Sequence, residues 1–324
     1  MSDERKNVSY IGVDLETLLR MNIIPDNDVL SCNIQLGPQQ IQSNSIRQIP
    51  PSEMLEIMDA LGRIGDFGNS CSLYEICDSN YESILSFYRQ LATNYPPNRN
   101  RADEFMKDAA QEMNRLLLNY LSSFKVFLDH LKTRYSRSPL KEQRYLADFN
   151  NICSACFNMN FYYRFFSKLR DYVQHCGLPI HYVEIKENPG RIDISMGFDR
   201  DTLLNRYDKW RSVKKDLTQQ PQRFEIIPSL AKLRDQLQII NTVVASIEVS
   251  IAFGSYHKLS GLIDEVAAKY PEGYPFIGRL VKQNTPEASL QMTNFPFHEM
   301  RRFRQKHKEI QKLGGLKLPD YRPN

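Results

Sequence analysis

Residues 102–135 read ADEFMKDAAQEMNRLLLNYLSSFKVFLDHLKTRY, with no glycine or proline among them. Apolar side chains recur three and four apart: Phe105, Ala109, Met113, Leu116, Leu117, Tyr120, Leu121, Phe124, Phe127, Leu128 and Leu131. That is the period of one face of an α-helix. Asp103, Glu104 and Asp108 fall in the early turns and Lys132 and Arg134 in the last, the arrangement a helix dipole favours. The stretch predicts a long amphipathic helix. It sets the expectation of a mainly α protein with a helical-bundle core from about Arg101 onward.

Towards the C-terminus, Ser136 to Pro139 read as a short loop, with Pro139 suited to the first turn of a second helix. That helix is expected to run to about Cys176, with a bend near Asn150 to Ser154. Gly177 closes it and Pro179 prevents its continuation. Two long helices joined by a short loop are expected to pack antiparallel. Beyond Pro179 the apolar period changes from 3.6 to 2. HYVEIKE and RIDISMGF alternate around Asn-Pro-Gly, which predicts a small inserted β-hairpin near residues 181–198. Asp199 or Asp201 then caps a helix through Trp210. Pro228 opens a helix to about Phe253, and another spans Tyr256 to Lys269.

Towards the N-terminus the reading is mixed. Asp14 to Met21 and Ser52 to Ile64 have helical spacing, and Val29 to Leu36 reads as a short strand. Gly65-Asp-Phe-Gly-Asn-Ser reads as a loop, and Asn94 to Asn100 as a breaker segment that sets a boundary. The expected organisation is an accessory region over 1–98, a helical bundle over 99–271 and a basic tail over 272–324. No internal repeat and no low-complexity tract stands out.

Length and composition bound the function classes. A chain of 324 residues buries a sizeable core, and 41% hydrophobic with 25% charged residues fits a globular protein. A net charge of +4 permits a polyanionic partner without demanding one. No apolar run reads as approaching the roughly 18–20 residues of a membrane helix. No signal peptide stands out, and six unevenly spaced cysteines do not form a disulfide framework. The expectation is a cytoplasmic protein with no membrane association. Phosphate-loop, dinucleotide-binding, serine-hydrolase and zinc-protease motifs are missing, so nucleotide hydrolysis and zinc proteolysis have no support.

The candidate chemistry lies in FYYRFFSKLRDYVQHCGLPI, residues 161–180. Asp171 and His175 are four apart on the expected helix, so the carboxylate can accept one imidazole N–H and leave the other nitrogen outward. Arg170 and Gln174 form the adjacent pair. A guanidinium matches phosphate oxygens and stays charged, while an imidazole moves protons near neutrality. RNA cleavage through its own 2′-hydroxyl needs that combination and no metal. Arg170, Asp171 and His175, closing an aromatic-rich helix, resemble the R-x(4–6)-H motif of the HEPN superfamily. The likeness covers about residues 101–178. It implies a helical bundle and a metal-independent endoribonuclease without cofactor, of the kind found in antiviral defence, abortive-infection and toxin–antitoxin systems. It further implies RNA as partner, Arg170 and His175 as catalytic residues with Asp171 as the polar neighbour, and a homodimer that builds one composite site. An antitoxin or regulatory partner belongs to the same expectation.

Other readings stand beside this one. Arg and His at a helix C-terminus also serve its dipole and free carbonyls without any chemistry. The chain would then be a non-catalytic helical dimerisation or interaction protein. Cys153-Ser-Ala-Cys156 lacks the second pair of a zinc site and reads as two small core residues, so no metal is expected. Phe157, Phe161, Tyr162, Tyr163, Phe165 and Phe166 read as bundle core rather than base-stacking platforms. Arg301, Arg302, Arg304, Lys306, His307 and Lys308 form a basic run suited to phosphates or to a solvated face, and a single-stranded nucleic-acid binder using this run is a third possibility. Arg302 to His307 repeats the motif spacing, but Phe303 stands where the polar residue belongs. Glu248 and His257 read as surface or capping residues.

Overall fold

The computed structural model describes residues 8–12, 27–38, 40–96, 101–137, 143–189, 191–282 and 288–313. The helix expected at Asp14 to Met21 and the turn at Pro139 lie outside them. The chain begins with strands β1 (Val8–Gly12), β2 (Asp28–Gly37) and β3 (Gln40–Ile49), then helices α1 (Pro51–Asn94) and α2 (Ala102–Arg137). Helices α3 (Gln143–Met159) and α4 (Phe161–His175) lead into the hairpin β4 (Tyr182–Asn188) and β5 (Arg191–Asp199). After α5 (Arg200–Arg206), α6 (Val213–Thr218) and β6 (Arg223–Glu225) comes the long α7 (Ile226–Lys269). Strands β7 (Tyr274–Lys282) and β8 (Ala288–Asn294) and helix α8 (Phe297–Lys312) complete the described chain. The protein is mainly α, with two antiparallel sheets.

Contacts divide the chain into two compact units, one of residues 1–69 and 246–324, the other of residues 70–245. Both divisions fall inside helices, α1 and α7.

The central unit, 70–245, is built on α2, α3 and α4. The buried stripe of α2 runs from Ala109 through Met113, Leu117, Phe124 and Leu131 to Tyr135, as its spacing predicts. The helix expected from 140 to 176 is interrupted at Asn160, not near Asn150 to Ser154. Asn160 has an extended backbone, and its side-chain oxygen accepts the Tyr163 N–H at 3.1 Å. It caps α4 and so marks the end of α3. Gly177, at φ 142°, follows the last turn of α4 in a conformation that favours glycine. The hairpin forms where it was expected, with Ile185 facing Ile194, and β6 adds a third strand beside β5. Asp199 caps α5 by accepting the Thr202 N–H at 2.7 Å.

The other unit holds the five-stranded antiparallel sheet β1-β8-β7-β2-β3. Asp28 and Arg279 sit directly opposite each other on β2 and β7, with Arg279 Nε 2.8 Å from Asp28 Oδ1. Residues 272–324, read as a basic tail, therefore supply β7, β8 and α8 to a packed unit. Their strands pair with β1 and β2 more than 240 positions away, which no local pattern reveals. The loop expected at Gly65 is absent, because α1 runs unbroken through it. A Cβ on Gly68 would stand 2.6 Å from Glu299 Cγ, so this glycine permits close packing of α8 rather than a turn.

Helix α7 is likewise continuous where two helices were expected. Its buried residues, Leu230, Leu233, Leu237, Ile240 and Val244, then Ala252, Leu259, Leu262 and Val266, keep helical spacing to the end. Between Asp235 and Lys258 its only charged residue is Glu248, which is buried. The helix contains a window of mean hydropathy 1.5, long and apolar enough by length and composition to cross a membrane, contrary to the sequence reading. In that window 44% of residues are buried. Ser246, Ile247, Glu248 and Val249 are buried in succession, which covers that turn of the helix on all sides.

Candidate functional site

Helix α4 turns its aromatic side inward. Phe165 and Tyr172 are fully buried and stack on Trp210, at ring centroids 5.8 and 5.9 Å apart. Trp210 donates its indole N–H to the Leu203 carbonyl at 3.0 Å. Phe165, with Tyr163 and Phe166, is core, as expected from its spacing, and Tyr172 and Trp210 join it. The polar side of the helix, Ser167, Lys168, Arg170 and Asp171, is left for a cleft.

That cleft, of about 560 Å³, lies among α2, α3 and α4 within the central unit. Helix α2 contributes Lys125, Asp129 and Lys132, and α3 contributes Asn150, Ser154, Phe157 and Asn158. Its volume falls within the range of roughly 300–1,000 Å³ that small ligands occupy. Four cationic side chains face two carboxylates. Lys125 is held by Asp129 at 2.6 Å and Lys168 by Asp171 at 2.9 Å. Arg170 and Lys132 have no ion pair or hydrogen bond with any described residue. An unneutralised guanidinium and ammonium in one concave site make it an attractive seat for an anion.

The floor is neutral. Burial, with the neighbouring Cys156 adding to it, pushes the Cys153 thiol up to about 12. Burial raises the Tyr163 hydroxyl far above its ordinary range. Neither group adds negative charge at neutral pH, and Cys153 is no thiolate nucleophile. Cys153 and Cys156 are both free, and Cys156 is buried.

The three residues singled out from sequence are placed differently from one another. Arg170 and Asp171 line the cleft together. Asp171 bonds Lys168 rather than His175, so the expected i,i+4 pair does not form. His175 is exposed on the last turn and lies outside the cleft. Five residues of helix rotate it about 140° from Arg170.

One constellation escaped sequence reading. His181 accepts the Asp199 backbone N–H at Nδ1, 3.2 Å away, and its Nε2 lies 3.3 Å from the Tyr172 hydroxyl. With Nδ1 accepting, the proton sits on Nε2 and is directed at Tyr172. Burial, and to a lesser extent Arg206, lowers the proton affinity of His181 against the pull of Asp199. The charge of Arg206 also opposes the rise that burial causes at the Tyr172 hydroxyl. His181 opens an alternating strand, and only its position beyond Pro179 could have hinted that it folds back on α4.

In the other unit, the basic run belongs to the amphipathic helix α8. Phe303 is fully buried against Phe67 at 5.4 Å, while Arg301, Arg304 and Lys308 face outward. Arg302 reaches the Gly68 carbonyl at 3.4 Å and His307 packs on Phe253. Glu248 is buried rather than on the surface, and His257 is exposed with its ring 4.5 Å from that of Phe253.

No family model matches this chain, and no curated protein and no solved structure matches it.

Proposed function

We propose that this chain acts on RNA as a metal-independent, HEPN-like endoribonuclease, with unit 70–245 forming an antiparallel helical bundle. The observation that carries the reading is Arg170, a guanidinium with no carboxylate partner, in a cleft on the same helix whose last turn exposes His175. Arg170 holds the phosphate beside the scissile bond. His175 takes the 2′-hydroxyl proton and protonates the leaving oxygen. Because the two side chains point apart around α4, the site is completed across a homodimer, with His175 of one protomer meeting Arg170 of its partner. The Asp171–Lys168 pair gives His175 no fixed orientation within one protomer, so the dimer contact has to supply it. A cytoplasmic location and a role in antiviral defence or a toxin–antitoxin system, with an antitoxin or regulatory partner, belong to the same proposal. Burial of Ser246, Ile247, Glu248 and Val249 in succession, a carboxylate among them, favours a core helix over a membrane span for α7.

The test is incubation of purified protein with mixed RNA in EDTA, beside Arg170→Ala and His175→Ala. Cleavage by the wild type and loss in both variants is expected. A wild type that leaves RNA intact, with both variants folded, removes the nuclease. A second reading, a non-catalytic interaction or nucleic-acid-binding protein, is favoured by one observation, the missing Asp171–His175 bond. It predicts binding without cleavage.

A further inference from the structure

The geometry points to the cleft among α2, α3 and α4 as a pocket for one unpaired nucleotide, its phosphate at Arg170 and Lys132 and its base against Phe157. This rests on the reading of the chain as RNA-acting and adds residues from α2 and α3 that sequence analysis did not assign. The two free cations come from different helices, Lys132 near the end of α2 and Arg170 near the end of α4. Both line one cleft and neither pairs with a carboxylate among the described residues, so a phosphate seated there has two cations to draw on. Phe157 is half-buried, with its ring 6.5 Å from that of Tyr163, so one part packs and the rest faces the cleft. An aromatic face of that kind stacks any base. The side chains of Asn150 and Asn158 have no hydrogen bond to a described residue, and each offers a donor and an acceptor to a base edge.

Size and charge narrow the ligand further. A volume of about 560 Å³ admits one nucleotide but not a paired duplex. The floor at Cys153 and Tyr163 is neutral, so nothing beneath repels the phosphate. Two sources share this chemistry, a free mononucleotide and a nucleotide within a single strand.

Fluorescence anisotropy distinguishes them, using full-length His175→Ala protein in EDTA with a 5′-labelled ten-nucleotide RNA, single-stranded or annealed. The strand is expected to bind at least tenfold more tightly than the duplex. Lys132→Ala, at an unchanged melting temperature, and Phe157→Ala are each expected to weaken strand binding about tenfold. Lys132→Ala also reduces the slope of log affinity against log salt by about 0.7, the share of one phosphate contact. Lys132 is exposed, so its variant keeps the fold even where Phe157→Ala does not. Uridine monophosphate competing as tightly as the strand assigns the pocket to a free nucleotide, and weaker competition assigns it to a strand. Equal binding of strand and duplex, or undiminished binding by Lys132→Ala, overturns the pocket. A folded wild type that binds the strand in this way but never cleaves it removes the nuclease and leaves the pocket. Cleavage with binding insensitive to Lys132 does the reverse.

Discussion

Replacing Arg164 with alanine is expected to loosen the junction that shapes the cleft. Arg164 sits in the first turn of α4, with its side chain only 15% exposed. It donates to the Phe157 carbonyl at 2.6 Å, the Asn158 carbonyl at 2.8 Å and Asp216 Oδ2 at 2.8 Å. The two carbonyls are among those the last turn of α3 leaves without a helical partner. Hydrogen bonds from a charged donor contribute roughly 1.5–3 kcal/mol each. The Phe157 bond is part-buried and counts for about 2 kcal/mol on that scale, while the exposed Asn158 bond, open to water, counts for about half as much. Asp216 is 38% exposed and regains water, so its pair adds about 0.5 kcal/mol. The expected loss is about 3.5 kcal/mol, or about 7–14 °C in Tm for a domain of this size. Arg164→Lys keeps the charge but lacks the fork, and recovers about one of the three bonds. Urea and thermal unfolding followed by circular dichroism measure the loss. Because Phe157 and Asn158 line the cleft, strand binding is expected to weaken in parallel. A stability change below about 0.5 kcal/mol would refute the claim that this side chain ties the ends of α3 and α4 together.

The remaining predictions concern charge, packing and catalysis. His181 is held neutral in the fold, so the unfolded chain, with the ordinary value of 6.5, binds its proton more readily. Stability is then constant above about pH 7 and is lost as pH falls through 6.5 towards the lower folded value. Urea midpoints between pH 5 and 7.5 test this, and His181→Gln is expected to flatten the acid side. Gly68→Ala is expected to destabilise by about 1–3 kcal/mol through its clash with Glu299. Gly62→Ala, with open space around it on the same helix, is expected to stabilise by about 0.5–1 kcal/mol. Paired thermal melts check both signs at once. In the EDTA assay, Arg170→Lys is expected to retain only part of the cleavage, since an ammonium cannot form the bidentate contact.

What the sequence made legible follows from the range of its signals. Helix α2 and the β4–β5 hairpin are written in strictly local periods, and their edges land within a few residues of the reading. Gly68 misled because a glycine that relieves a close contact looks identical, in sequence, to one that turns the chain, while Gly65 and Gly254 have open space around them and simply sit inside helices that packing on either side carries through. The five-stranded sheet was out of reach for another reason. Its β2–β7 and β1–β8 pairings join the two ends of the chain, and YPFIGRLVK lacks clean alternation and stands beside Pro271 and Gly273. At the site, the i,i+4 rule placed Asp171 within reach of His175 and equally left Lys168 within reach at i−3. The lysine took the carboxylate, and spacing alone could not rank the two. Lys132, Phe157 and Asn158 come from neighbouring helices, so their meeting with Arg170 is a product of packing.

That packing bears directly on the proposed cleavage. In-line attack by a 2′-hydroxyl needs a base on one side of the phosphorus and a charge-stabilising donor at its oxygens, both within a few ångströms. Arg170 and His175, about 140° apart around α4, leave the helix in different directions, so the proposed site has one phosphate met from two protomers. A monomeric site would require the last turn of α4 to unwind, undoing the Cys176 N–H bond to the Tyr172 carbonyl at 2.7 Å. That turn is tied down further by Tyr172, which is buried against Trp210 and bonded towards His181. Rigidity here makes dimerisation a requirement of the proposed chemistry. Mixing Arg170→Ala with His175→Ala protein is therefore expected to restore part of the cleavage that each lacks alone, because some heterodimers carry one intact composite site. Absence of any restoration, with mixed dimers verified by differential tagging, would leave α4 as a binding element without a catalytic one.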